Sequence, residues 1–135
     1  MKSPGSTPED GVAPMAAALG PTPVFDAVLL GMGEDGHFAS LFPGSPALAA
    51  GLDPASDALA VAVPAGQGGL APPQPRLSLT LAAIVRSRSI ILLTGGEAKL
   101  AVLQAALSKG SDPRDRPIAT LLNARPDTLI LHGPS

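Results

Sequence analysis

An aspartate and a histidine two residues apart follow a short apolar segment of the chain. Asp35 and His37 lie in the sequence GMGEDGHFASLFPG at residues 31–44. A neutral imidazole accepts a proton from water near pH 7, and a neighbouring carboxylate can fix its tautomer. The pair therefore indicates general-base chemistry. The alternative is that His37 only caps a short helix while Asp35 is solvated.

The same segment contains three glycines: Gly31, Gly33 and Gly36. Glycine has no Cβ, so its backbone can approach a ligand closely and can adopt a positive φ. We expect this first glycine turn (residues 31–36) to contribute to a binding site. A short helix is predicted to begin near His37 and to end before Pro43.

A lysine follows a second glycine turn (residues 95–96). Lys99 lies in the sequence GGEAK, at the predicted start of a helix. Glycines there expose backbone N–H groups, which form a natural anion site. The helix macrodipole disfavours a cation in the first turn, and a bound phosphate would explain one. The alternative is an exposed lysine paired with a nearby acid.

Two apolar segments, each followed by glycines and a helix, predict the elements that position these residues. Residues 25–30 (FDAVLL) and 89–94 (SIILLT) are expected to be buried strands. The second strand leads into a helix over residues 97–109, ending at Gly110, with three leucines on its core face: Leu100, Leu103 and Leu107. This alternation predicts a parallel sheet with its ligand site at the carboxyl ends of the strands.

The remaining segments predict shorter elements. Further strands are expected at residues 58–63, 76–81 and 128–132, a helical turn at 81–86 and a weak helix at 116–122. In the sequence RLSLTL at 76–81 the leucines alternate with Ser78 and Thr80, which predicts a half-buried strand. We expect residues 1–20 to be disordered or weakly helical, with a helix over 12–19 weakened by Pro14, and residues 21–135 to form one domain.

Composition excludes several classes of function. The 135 residues include no Cys, Trp or Tyr and carry a formal net charge of −2. Disulfides, thiolate catalysis and cysteine-ligated zinc are therefore excluded. A basic surface and stacking platforms are both lacking, so we expect no nucleic-acid partner. No apolar run is long enough for a signal peptide or a membrane span, which predicts a cytoplasmic protein with no membrane contact.

Three ordered sequence blocks resemble the 6-phosphogluconolactonases. FDAVLLGMGEDGHFASLFPG is similar to the signature of that family, and PPQPRLSLTLAAI and TGGEAK are similar to its second and third blocks. The resemblance implies a three-layer α/β fold with a mostly parallel sheet and helices on both faces. It also implies hydrolysis of a phosphosugar lactone, 6-phosphogluconolactone, in the pentose phosphate pathway, with no metal and no cofactor.

The resemblance also assigns roles to residues. His37 corresponds to the base, Asp35 to the residue that orients it, and Lys99 to the lysine that contacts the substrate phosphate. Arg76 matches an arginine of the second block, where it would hold the substrate or a loop. The alternative is a pairing with a surface carboxylate. His132, which has no glycine turn or carboxylate nearby, is expected to be structural.

The chain also departs from the family pattern. It corresponds to the second half of the family fold, so we expect one under-covered face or edge of the sheet and self-association through it. A non-catalytic sugar-phosphate-binding remnant is the alternative function. The related glucosamine-6-phosphate deaminases carry a glutamate where this chain has Phe42, which argues against deamination. Phe38 replaces a small polar residue and is expected to narrow the pocket.

Overall fold

The computed structural model describes residues 7–20, 24–66, 73–108, 112 and 115–134. Within these described residues, ten elements follow one another: α1 (Pro8–Leu19), β1 (Ala27–Gly31), α2 (Leu48–Gly51), β2 (Ala60–Val63), β3 (Arg76–Leu79), α3 (Leu81–Val85), β4 (Ser89–Gly95), α4 (Glu97–Leu107), α5 (Ile118–Ala124) and β5 (Leu129–Gly133).

Three of the strands form a parallel sheet in the order β1-β4-β5. Leu29 lies beside Ile91, which in turn lies beside Leu129. The predicted parallel pairing of the two apolar strands is confirmed, as is the α/β class with a parallel sheet flanked by helices. A separate antiparallel pair, β2 with β3, lies between β1 and β4 in the sequence and was not predicted.

The main core lies on one face of the parallel sheet. The strand order advances in one direction, so right-handed crossovers bring the connecting helices to the same face. On that face Ile90 and Leu92 of β4 are buried against side chains of α3, α4 and α5. The buried helix residues of this cluster are Ile84, Leu103, Ala106, Ile118, Ala119, Leu121 and Leu122.

The opposite face of the same sheet is apolar and open. Its leucines are between 43% and 63% exposed: Leu29, Leu93, Leu129 and Leu131. The strand register places Leu93 beside Leu131 in one row and Leu29 and Leu129 beside Ile91 in the next. α1 packs on β2 and β3 instead. The expected under-covered face is therefore present.

An arginine directly after α5 binds the segment that joins α3 to β4. The Arg125 guanidinium donates to the carbonyl oxygens of Val85, Ser87 and Arg88 and forms two bonds to Asp127. The hydrogen bonds from Arg125 hold the pKa of the Asp127 carboxyl below its ordinary value. At the other end of α5, the Ile118 N–H contacts the first glycine turn.

The prediction of a helix that begins near His37 is wrong. Phe38 and Leu41 instead pair across a tight turn, in which the Leu41 N–H donates to the Phe38 carbonyl at 3.0 Å. Ala39 has a φ of 50°, a left-handed conformation that ends any α-helical hydrogen-bond pattern. The turn lets Phe38 and Leu41 both enter the core, where each is fully buried. Phe38 therefore lies in the core and does not narrow the binding pocket. The expectation that it would do so was wrong.

The inward face of β3 also differs from prediction. Ser78 and Thr80 are the buried residues, whereas Leu77 and Leu79 are half-buried. Ser78 Oγ accepts from the Ser40 N–H at 3.1 Å and donates to the Leu79 carbonyl at 2.9 Å. Thr80 Oγ1 donates to the Ala58 carbonyl at 2.7 Å. The hydroxyls enter the interior because their hydrogen bonds are satisfied there.

The first and fourth helices differ in extent from the prediction. α1 begins at Pro8, since Thr7 and Asp10 form a reciprocal capping box, and it continues through Pro14. The helix expected over residues 12–19 thus begins four residues earlier, and residues 1–6 lie outside the described part. α4 buries Leu103 and Ala106, whereas Leu107 is 62% exposed, so the predicted leucine face was partly wrong. Gly110, the predicted stop, lies outside the described residues.

Candidate active site

The first glycine turn closes on itself at the carboxyl end of β1. The Gly33 N–H donates to the His37 carbonyl, and the Gly36 N–H donates to the Gly33 carbonyl, both at 3.0 Å. Gly36 has a φ of 83°, and its carbonyl accepts from the Ile118 N–H at 2.9 Å. A side chain at Gly36 would lie 3.2 Å from Arg116. The turn is thus held both internally and by the start of α5.

The His37 imidazole is paired with the Asp35 carboxylate. Asp35 Oδ1 accepts from the His37 backbone N–H at 3.1 Å and lies 2.5 Å from His37 Nδ1. Both side chains are about one-fifth exposed, at 23% for His37 and 22% for Asp35. A carboxylate at Nδ1 favours the neutral tautomer that carries its proton there. The Nε2 lone pair is then available to accept a proton.

Two further residues pack against the imidazole ring. A Cβ built on Gly33 would overlap His37 Cε1 and Nδ1, so only glycine leaves room for the ring. The Phe42 ring centroid lies 4.5 Å from that of His37, with the planes tilted by 44°. The imidazole is therefore confined on several sides.

The second glycine turn joins β4 to α4. Gly96 has a φ of 83° and directly precedes α4. The Gly96 N–H donates to the Gly133 carbonyl at 3.2 Å, and His132 Nε2 lies 3.0 Å from the Gly96 carbonyl. These contacts tie the turn to β5, which agrees with a structural role for His132. Lys99 lies in the first turn of α4 and is half-buried.

A cleft of about 520 Å³ lies at the first glycine turn and extends to Lys99 of α4. Gly31, Gly33, His37, Ala39 and Lys99 line it together with three apolar residues from β1 and its end. The structure thus brings together four of the residues singled out from the sequence. Asp35 lies behind His37, and Gly36 is buried beneath the turn rather than in the cleft wall.

Arg76 lies apart from this arrangement. It is exposed at the start of β3, where it is in register with Val63, and it is not among the residues that line the cleft. The predicted pairing with a surface carboxylate is also absent within the described residues. Its expected role in holding the substrate therefore has no geometric support here.

The described residues contain neither a cluster suited to a metal ion nor a membrane-spanning helix. Within the described residues, no three side chains of the metal-ligating acidic and histidine types come together as a possible metal site. In the same part of the chain, no helix has the length and apolar character needed to cross a membrane.

Comparison with known proteins identifies the family. The family model described as glucosamine-6-phosphate isomerases/6-phosphogluconolactonase matches residues 1–130. The chain belongs to this family. The membership predicted from the three ordered sequence blocks is therefore confirmed.

Relatives within the glucosamine-6-phosphate isomerase/6-phosphogluconolactonase family are similar over most of this chain. A 6-phosphogluconolactonase of Caulobacter vibrioides is 52% identical over 98 residues, which cover 73% of this chain and 39% of the relative. One from Mycobacterium tuberculosis is 43% identical over 123 residues, covering 91% of this chain and 46% of the relative. The chain spans less than half the length of these curated relatives.

A solved structure of the family has the same fold. The crystal structure of a 6-phosphogluconolactonase from Shewanella baltica matches with a TM-score of 0.80 and 38% identity. The match covers 98% of this chain and 54% of that chain.

Sequence reasoning missed two contributors to the site. Ile118 was assigned only to a weak helix, although its N–H braces the Gly36 carbonyl. Phe42 was considered only as the position of the deaminase glutamate, although its ring packs on His37. Proline at position 117, directly before α5, is a signal for a helix start but gives no indication of what the helix contacts.

Proposed function

We propose that this chain carries the catalytic base and the phosphate anchor of a 6-phosphogluconolactonase. The reaction is hydrolysis of 6-phospho-D-glucono-1,5-lactone to 6-phosphogluconate. One observation carries the proposal: His37, paired with Asp35, lines the same cleft as Lys99. The names of the relatives and of the Shewanella baltica structure support the choice of substrate.

In the proposed reaction His37 acts as a general base and then as a general acid. Nε2 takes a proton from a water molecule while the water oxygen bonds to the lactone carbonyl carbon. The tetrahedral intermediate then collapses, the bond to the ring oxygen breaks, and the imidazolium returns its proton to that oxygen. Asp35, 2.5 Å from Nδ1, fixes the tautomer of the neutral imidazole before the proton transfer and stabilises the imidazolium after it.

Lys99 is proposed to hold the substrate phosphate. Its ammonium would form a charge-assisted contact with the phosphate in the cleft that His37 also lines. The amino-terminal end of α4 adds a favourable electrostatic field for an anion. A cleft of about 520 Å³ lies in the size range of small-molecule sites.

We further propose that the reaction requires no metal and no cofactor and takes place in the cytoplasm. A histidine base polarised by a carboxylate can activate water without a metal ion. Neither nucleic acid nor membrane is a proposed partner, because the chain has a net charge of −2 and only 2% aromatic residues.

A second candidate function is binding of a sugar phosphate without catalysis. It is favoured by the chain's coverage of less than half of its relatives' length. A cleft built from two turns could then hold the phosphate without fixing the lactone carbonyl near His37.

An assay of lactone hydrolysis distinguishes the two functions. We expect hydrolysis of 6-phosphogluconolactone by the purified chain to be weak at most, and any rate above the spontaneous reaction to be equal with and without a chelator. Asp35→Asn should lower the rate by about tenfold or more, since the amide no longer supports the imidazolium. Saturable binding of 6-phosphogluconate without any rate above background would instead favour the binding function. Loss of activity with a chelator would contradict the metal-free mechanism.

The open face of the parallel sheet is proposed to cause self-association. Four leucines of three adjacent strands, each at least 43% exposed, form an apolar surface. Its exposure to water is unfavourable, and association would bury it. The double substitution Leu93→Ser and Leu131→Ser should shift sedimentation towards the monomer, whereas the same change at Leu107, exposed on α4, should not. Concentration-independent monomeric sedimentation of the unmodified chain would refute this proposal.

A further inference from the structure

Two phenylalanines of the segment at residues 31–44 lie in different surroundings. Phe38 is fully buried in the main core with Leu41. Phe42 is 5% exposed and belongs to a small separate cluster with Ala47 and Val63. Phe42 is also the residue whose ring contacts the His37 imidazole, at a centroid distance of 4.5 Å. The two rings therefore offer a natural comparison within one segment.

The cluster around Phe42 does not itself require an aromatic ring. Its other members are small or aliphatic, with Val61 packed partly against them. A leucine would bury a similar apolar surface among such neighbours. The ring of Phe42 is matched to a planar partner, and centroids 4.5 Å apart with tilted planes lie within the favourable range for such rings.

The hydrogen bond to Asp35 alone does not fix the orientation of the imidazole ring. A hydrogen bond at Nδ1 fixes one ring atom, but the ring can still swing about that bond or exchange its two nitrogens. Gly33 lies against the Cε1 and Nδ1 edge of the ring, where a Cβ would overlap it. Phe42 lies against the ring as well and is itself held by Ala47 and Val63.

We propose that Phe42 is a positioning residue for His37. Its ring restricts the imidazole to the orientation in which Nδ1 meets Asp35 and Nε2 is presented to the cleft. The effect on turnover rests on the proposed lactonase function, whereas the effect on the imidazole itself does not.

Nuclear magnetic resonance of the two histidines tests this directly. The chain contains only His37 and His132, so the side-chain signals of ¹⁵N-histidine-labelled protein can be assigned with a His132→Gln variant. At a pH where the ring is neutral, the unmodified chain should show His37 as one dominant Nδ1–H tautomer. Phe42→Leu should draw the two ¹⁵N shifts together as tautomers mix, and Phe42→Tyr should restore the separation.

Phe38→Leu is the matched control. It replaces another buried phenylalanine, four residues earlier in the chain, by leucine. Any general loosening of the core should therefore appear in this variant as well. We expect it to leave the His37 shifts unchanged. If Phe42→Leu also leaves them unchanged, or if Phe38→Leu alters them equally, the proposal is wrong. Should Phe42→Leu fail to fold, the unmodified chain decides: absence of an Overhauser effect between the His37 and Phe42 ring protons overturns the proposal.

Kinetics separates this inference from the proposed function. Where lactone hydrolysis is measurable, Phe42→Leu should lower kcat by about tenfold with KM unchanged, because only the orientation of the base is affected. Phe38→Leu should retain kcat. A chain without lactonase activity would contradict the proposed function, while the tautomer measurement would still confirm or overturn the positioning role of Phe42.

Discussion

The two glycine turns at the carboxyl ends of β1 and β4 hold their side chains in opposite ways. In the first turn, His37 is bound through its carbonyl to Gly33, through its N–H and ring to Asp35, and through ring packing to Phe42. In the second, the glycine backbone is tied to β5, but the Lys99 side chain forms no hydrogen bond or ion pair within the described part of the chain.

The difference matches the two kinds of work proposed for the turns. A base must be aligned with the attacking water before reaction, because even a small displacement raises the barrier. An ammonium that attracts a phosphate acts as a point charge, which a flexible side chain can deliver once the ligand is present. The rigid turn would therefore govern turnover, and the freer lysine would govern binding.

The largest effect is expected from removing the base itself. His37→Ala should lower kcat for 6-phosphogluconolactone by about a hundredfold or more, the usual contribution of a positioned base. KM should change little, since His37 acts on water rather than on the phosphate. His132→Ala removes the other histidine and should retain kcat in the same steady-state assay. Full activity of His37→Ala would break the division of roles between the turns.

A smaller loss of kcat is expected when the first glycine turn is disturbed but none of the functional side chains is replaced. Gly33→Ala places a methyl group where the imidazole lies, so the ring must move. We expect kcat to fall by about tenfold or more, a consequence of lost alignment. Gly133→Ala is the control, because nothing lies within 4 Å of its added Cβ. Unchanged kcat in Gly33→Ala would show that the His37 position is not critical.

Substitution of Lys99, which follows the second turn, should change KM rather than kcat. Lys99→Ala should raise KM by about tenfold, because a hydrogen bond to a charged group contributes about 1.5–3 kcal/mol. Lys99→Arg keeps the charge and should recover part of the affinity. Steady-state kinetics over a wide substrate range separates the two constants. A fall in kcat at unchanged KM would contradict the anchoring role.

Much of the parallel sheet could be predicted because its strands are continuous apolar runs that end in glycines. The segments at 25–30 and 89–94 appear as β1 and β4 with shifts of one or two residues. The burial of Ser78 and Thr80 could not be predicted, since it depends on the carbonyl of Ala58 and the N–H of Ser40, both distant in sequence. Local alternation does not reveal such partners.

The residues of the candidate site could be predicted, but the neighbouring residues that hold them in place could not. Residue type and position at the glycine turns singled out His37, Asp35 and Lys99, and the family resemblance implied their roles; the cleft brings His37 and Lys99 together. The helix expected after His37 was wrong because Ala39 adopts a positive φ, which its residue type gives no reason to expect. Phe42 and Ile118 support the turn through tertiary contacts, which a periodic pattern does not encode.

The central claim is that base and anchor serve one ligand in one cleft. It is tested most directly by titrating 6-phosphogluconate into the labelled chain while the His37 ring signals are followed. We expect these signals to shift saturably, with the same end point but at about tenfold higher ligand concentration in Lys99→Ala, the expected effect of one lost charge-assisted contact. His37 signals that stay fixed at saturating ligand, or that respond identically in Lys99→Ala, would contradict the account.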